Sequence, residues 1–224
     1  MDERQELILE TIIKEHVASG APVSSSALVD KYKLAISSAT VRNEMAILED
    51  AGYIVQPHTS AGRIPTEKAY KWFISRLKTE ELYNNETKTL GSLEEKDFKK
   101  VAKNMAEVSG LAVFWALPAQ NVYYTGLSNL FLRPELIQAE LLADFSEVID
   151  NLDEIINEYF DDIESTPAIL VGSDGPFGSF CSTIVVKYCV DGHEGVFGIL
   201  GPLRLDYAKN LALVKFVKDN LCQK

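Results

Sequence analysis

Cysteine is scarce in this chain of 224 residues. The three present, Cys181, Cys189 and Cys222, form no CxxC or Cys/His spacing, so neither a disulfide framework nor a zinc site is expected to organise the fold. Cys181 and Cys189 fall on one predicted strand, roughly 26 Å apart at about 3.3 Å per residue, beyond the reach of a bridge. Histidine is equally sparse: His16 lies in a predicted helix, His193 beside a tight turn, and no Ser/His/Asp, Cys/His or HExxH arrangement is present. No enzyme, cofactor or metal site is expected. No apolar run approaches the ~20 residues that cross a bilayer, and Met1-Asp2-Glu3-Arg4 holds no signal-peptide core. A soluble protein of a reducing cytoplasm is expected, without a membrane partner.

Positive charge is in deficit overall, with 22 Lys+Arg against 33 Asp+Glu and a net charge of −11. That total argues against a nucleic-acid partner, but its distribution reverses the argument. Residues 1–78 carry 10 basic and 10 acidic side chains, so the whole deficit lies in residues 79–224. Within residues 31–78 the balance is 8 basic to 4 acidic. A locally basic surface on an acidic body would bind DNA at one place and resist sticking elsewhere.

The stretch from Ser37 to Gly52 predicts a helix with two unlike faces. Ser37 suits an N-cap and Gly52 a left-handed stop. Val41, Met45 and Leu48 recur at i, i+4 and i+7 as one apolar stripe. The opposite face holds Ala39, Arg42, Asn43 and Ala46, with Ser38 and Thr40 at its N-terminal shoulders. Small residues let a helix sit deep in a groove, Arg bonds the guanine O6/N7 edge with two donors, and Asn does the same for adenine.

The neighbours of that helix fit the same purpose. A first helix runs from about Glu3 to Ala18, with Asp2 and Gln5 as a capping box and Leu7, Ile8, Ile12 and Val17 near one face. A short second helix starts at Ser24-Ser25-Ser26 and carries Leu28, Val29 and Tyr32. Two helices and a turn leading into a third form the helix-turn-helix plan. After Gly52, Tyr53-Ile54-Val55-Gln56 and Arg63-Ile64-Pro65 read as a hairpin wing around Pro57-His58-Thr59-Ser60-Ala61-Gly62. His58, Thr59, Ser60 and Arg63 suit phosphates or the minor groove. Thr66 caps a fourth helix with Tyr70, Phe73, Ile74 and Leu77 inward.

Residues 79–95 are polar and acidic and predict a linker between a domain at 1–78 and another at 96–224. Ser92 and Glu95 form a capping signal for a helix with Phe98, Val101, Met105 and Val108, ended by Gly110. Strands are predicted at Leu111–Ala116, Val122–Thr125 and Ala168–Gly172. A helical tract runs from Pro134 to about Phe160, broken near Phe145-Ser146. Phe180–Val190 and Glu194–Leu200 form a hairpin at Asp191-Gly192, and a last helix spans Leu205–Leu221. Strands interleaved with helices indicate an α+β domain. Its aromatics Trp115, Tyr123, Tyr124 and Phe180 could wall a ligand pocket, although core packing explains them more simply. Asp161, Asp162 and Glu164 read as a solvated helix end.

The run Ser37 to Met45, then Leu48-Glu49, Gly52-Tyr53 and Gln56 to Thr66, resembles the HrcA heat-inducible transcription repressors. Val122 to Leu130 with Pro134-Glu135, and Gly198 to Tyr207, resemble the C-terminal signatures of that family. The resemblance implies a winged helix-turn-helix domain followed by a GAF-like domain. It also implies a homodimer binding an inverted-repeat CIRCE operator on double-stranded DNA ahead of chaperone genes, with the chaperonin GroEL as modulator. Leu203 and Leu205 stand where the family usually has Thr and Met. Trp115-Ala116-Leu117-Pro118 runs almost directly into Val122, leaving little room for the family's inserted dimerisation subdomain. Pairing through the linker helix and the GAF-like domain is expected instead.

Overall fold

Asp2 and Gln5 open the first helix reciprocally. The Asp2 carboxylate accepts from the Gln5 amide at 2.8 Å, and the Gln5 side chain accepts from the Asp2 amide at 3.1 Å, pairing two donors that a bare helix end leaves open. In the computed structural model, which describes residues 1–33, 35–58, 61–77, 84–91, 93, 97–117, 122–133 and 139–221, the chain divides into two compact units, Met1–Leu77 and Lys78–Lys224.

In the first unit α1 (Glu3–Ser19) is followed by α2 (Ser25–Tyr32), capped by Ser24, and α3 (Ser38–Asp50), capped by Ser37. Strands β1 (Ile54–Val55) and β2 (Ile64–Pro65) pair antiparallel. Val23 and Arg63 add a bridge with N–H···O bonds of 2.8 Å each way. Thr66 caps α4 (Glu67–Ile74) and donates its hydroxyl to the Gly52 and Tyr53 carbonyls, so the cap of one helix also ties down the end of another. Val41, Met45 and Leu48 sink into a core with Ile8, Leu9, Ile12, Ile13 and Leu28. The buried arc of α1 differs from the expected one. Leu7 is 53% exposed and Val17 half-buried, while Leu9 and Ile13 are fully buried. The reason is tertiary: α3 and α4 both pack on α1, and the arc they share runs through residues 8, 9, 12 and 13.

The second unit begins earlier than the expected linker allows. α5 (Asn84–Leu90) lies inside residues 79–95, with Leu90 fully buried and its carbonyl accepting from Asn104 at 3.0 Å. Ser92 and Glu95, the expected capping pair, lie outside the described residues. α6 (Phe98–Ser109) starts at Asp97 without a side-chain cap bond. Then come β3 (Ala112–Ala116), β4 (Tyr123–Thr125), α7 (Leu127–Phe131), α8 (Ala139–Asp150), α9 (Leu152–Tyr159), β5 (Ala168–Val171), β6 (Cys181–Val190), β7 (His193–Pro202) and α10 (Tyr207–Leu221). α7 was not expected. The helical tract breaks at Asn151 rather than at Phe145-Ser146, because Phe145 is fully buried inside α8, edge-on to Phe180 at 4.9 Å.

The strands form one antiparallel sheet in the order β4-β3-β7-β6-β5. The Asp191-Gly192 turn joins its two longest strands, with both residues at positive φ. Trp115 stacks on Phe197 at 4.5 Å and donates its indole N–H to the Tyr188 hydroxyl at 2.7 Å. Phe98 of α6 lies 6.0 Å from Trp115, and Tyr207 of α10 bonds Ser182 at 2.8 Å, so α6 and α10 cover that face. The opposite face carries Phe114 against Phe177 and Lys187 over Phe160. Burial pushes the Cys181 thiol up to about 12, which keeps it protonated and unreactive. No helix among the described residues is long and apolar enough to cross a membrane.

Two features of the first unit are testable. A Cβ on Gly62 would stand 2.5 Å from the carbonyl carbon and oxygen of Val23. Gly62→Ala should therefore destabilise the unit by about 1–3 kcal/mol through overpacking, seen as a lower urea midpoint. Glu6, held by both arms of Arg76, and Glu15, held by Lys31 and Tyr32, have pKa values below the ordinary 4.5. A depressed folded-state carboxylate stabilises above its unfolded pKa, and that stability is lost as pH falls through the folded value. The urea midpoint should fall on acidification below 4.5, and less so in Glu6→Gln.

Candidate nucleic-acid interface

Ser37 fixes where α3 begins. Its hydroxyl accepts from the Thr40 amide at 3.1 Å and lies 2.9 Å from the Thr40 hydroxyl, so Thr40, half-buried, belongs to the cap. The roll of α3 is set from behind. Glu44 takes Arg4 at 3.3 Å and the Gln5 side chain at 3.2 Å, and Val41, Met45 and Leu48 are buried. With that side occupied, Ser38, Ala39, Arg42, Asn43 and Ala46 are exposed. The face that the sequence assigns to base reading is thus open to solvent.

The cations of the unit are mostly spent on neighbours. Arg4 pairs with Glu44, Lys14 with Glu10, Lys31 with Glu15, Arg63 with Glu49, Lys71 with Glu67 and Arg76 with Glu6. Arg42 has no hydrogen bond or ion pair with any described residue. A guanidinium carries five donors in a rigid fork, and on an exposed helix they can be offered to a ligand.

The hairpin stands beside α3 through one carboxylate. Glu49 accepts from the Gln56 amide at 3.1 Å with one oxygen and from the Arg63 Nε at 2.9 Å with the other. Arg63, expected among the phosphate contacts, is therefore only partly exposed and already has an acidic partner. His58 is exposed, with its carbonyl accepting from Ala61 at 2.9 Å. Thr59 and Ser60 lie outside the described residues. Glu49 was not singled out from the sequence, since its bonds reach 7 and 14 residues ahead. Ile47, 50% exposed on α3, was also passed over, although an apolar residue off the 41/45/48 stripe marks a surface position.

The aromatics considered as pocket walls do not converge. Trp115 is 1% exposed in the core and opposes Tyr123, while Tyr124 is 44% exposed and opposes Phe114 on the other face. Phe180 sits against Phe145. Asp161, Asp162 and Glu164 are exposed just past α9. No metal-holding cluster of His, Cys, Asp or Glu occurs among the described residues.

Comparison with known proteins adds three findings. The family model described as HrcA protein C terminal domain matches residues 36–211. Among curated relatives, the heat-inducible transcription repressor HrcA of Acidothermus cellulolyticus is 56% identical over 79 residues, 35% of this chain and 23% of that protein. That of Acetivibrio thermocellus is 40% identical over 126 residues, 53% of this chain and 36% of that protein. The matched part thus spans well under half the length of either relative. A crystal structure described as that of a hypothetical protein, at 2.2 Å resolution, superposes with a TM-score of 0.76 at 16% identity, covering 100% of this chain and 97% of the other. It shows that this mixed helix and sheet fold recurs. With a family model running from α3 into α10, and the apolar stripe and hairpin motif of α3, β1 and β2 in place, the chain belongs to the HrcA family.

Proposed function

We propose that this chain is a DNA-binding transcriptional repressor of heat-shock (chaperone) genes, whose first unit is a winged helix-turn-helix domain and whose second is GAF-like. The observation that carries the reading is Arg42, a guanidinium with no partner among the described residues, beside Asn43 on the open face of α3, in a unit whose other cations are mostly committed to carboxylates. Arg42 and Asn43 read base edges in the major groove. Ser38, Thr40, His58, Thr59, Ser60 and Arg63 hold phosphates or groove walls, Arg63 sharing its charge with Glu49. The names of the relatives support repression under heat control. By resemblance, the operator is a CIRCE-type inverted repeat and GroEL modulates the active fraction in the cytoplasm.

One α3 reads only a few base pairs, so selectivity for an operator needs two copies. A homodimer would present its α3 helices about one helical turn (34–36 Å), or a multiple of it, apart. The aromatics that could have walled a ligand pocket in the second unit are divided between the core and two faces of the sheet, which supports this reading over ligand sensing.

Arg42→Ala should weaken binding to an inverted-repeat duplex by about 1–3 kcal/mol at fixed salt, read by footprinting or anisotropy. Unchanged affinity would remove the base-reading role. Light scattering on the full chain should give twice the monomer mass of 24.9 kDa, and a strict monomer at the concentrations that protect DNA would overturn the dimer.

A further inference from the structure

Glu49 stands where an acid is doubly disfavoured. It lies in the last turn of α3, where the helix dipole repels negative charge. Arg63, which it holds, lines the same cleft of about 340 Å³ as Arg42 and Gln56, on the side that a duplex would meet. What the charge does there is narrow. The Gln56 amide bonds one Glu49 oxygen at 3.1 Å, and the amide oxygen of a glutamine would accept it as well. The charge serves Arg63, whose Nε and Nη2 both lie 2.9 Å from the other oxygen. This pair is also the most enclosed of the described pairs that join separate elements of the first unit. The Arg63 side chain is 20% exposed, against 55%, 57% and 51% for Arg4, Lys31 and Arg76, so solvent and salt screen it least.

We infer that Glu49 is a selectivity-determining positioning residue: by holding Arg63 as half of a neutral pair, it withholds one sequence-independent phosphate attraction and keeps the hairpin in register with α3. The inference rests on the DNA-binding reading. A released guanidinium on the hairpin finds phosphates on any duplex. On a scrambled duplex α3 has no base contact to lose, so the protein takes whichever pose suits that cation. On the operator the same pose competes with the base contacts of Arg42 and Asn43. Release therefore strengthens wrong sites more than the right one, and selectivity is the difference between the two. The N–H groups of Arg63 that Glu49 leaves over can still touch a phosphate, without adding net charge.

The test measures anisotropy on the full chain over a salt series, with a CIRCE-type inverted-repeat duplex and a scrambled duplex of equal length, after thermal melts of each variant. Glu49→Gln keeps an acceptor for the Gln56 amide and frees the cation. Its plot of log affinity against log salt on the scrambled duplex should steepen by about 0.9, with affinity near 0.15 M salt rising about fivefold. The operator should gain less, so the operator-to-scrambled ratio falls about three- to tenfold. The double variant Glu49→Gln with Arg63→Gln, neutral like the wild-type pair, should return the slope to the wild-type value. Weaker binding of both duplexes at an unchanged or shallower slope is what a merely structural Glu49 would give, and that result, or an unchanged ratio, overturns the proposal. A double-variant slope shallower than wild type by about 0.9 also overturns it, because Arg63 would then already be a free phosphate contact. Where Glu49→Gln does not fold, the double variant decides alone. On the wild type itself, the Arg63 Nε–H resonance should persist when the operator is added, and its loss to solvent exchange overturns the pair whatever the variants do. If the wild type binds neither duplex, the DNA reading fails, a result that no change confined to Glu49 imitates.

Discussion

Glu49 joins three pieces of backbone that are distant in sequence. One of its oxygens takes the amide of Gln56 and the other the side chain of Arg63, while Arg63 is bonded through its own backbone to Val23. The last turn of α3, both arms of the hairpin and the segment before α2 are thereby held at one junction. Gly62 permits it, since any side chain there would meet the Val23 backbone. A two-residue strand pair has little stability of its own. The hairpin therefore stands at a defined distance from α3 because a charged group braces it, and the geometry of the candidate interface depends on that brace.

The same economy governs charge. Carboxylates absorb most of the cations of the first unit, and four of these pairs tie separate elements together. Glu44 sets the roll of α3, Glu6 holds the segment just after α4 to α1, and Glu15 holds α2 to α1. Arg42 stands apart. The acidic excess of the chain lies in residues 79–224, while residues 1–78 are balanced.

Features decided by near neighbours along the chain were legible in the sequence. The Asp2/Gln5 box, the Ser37 and Thr66 caps, the 41/45/48 stripe and the Asp191-Gly192 turn all follow from residues no more than seven apart. The exposure of Arg42 and Asn43 followed from the stripe opposite them. Features decided by packing were not legible. α1 buries Leu9 and Ile13 in place of Leu7 and Val17 because two helices grip it. α7 has five residues starting at a left-handed Gly126, too short for periodicity to show. α8 continues through Phe145 because a ring on a distant loop receives it. The partner of Arg63 is likewise tertiary, since Glu49 lies 14 residues away.

The lengths of the strands carry one last consequence. The two ten-residue strands lie inside the sheet, while its borders, β4 and β5, have three and four residues. A border this short offers few unpaired amides and carbonyls to a stray strand. Molecules crowded together during partial opening would find little template for growing stacked fibrils, so excursions from the native state can be reversed rather than becoming traps.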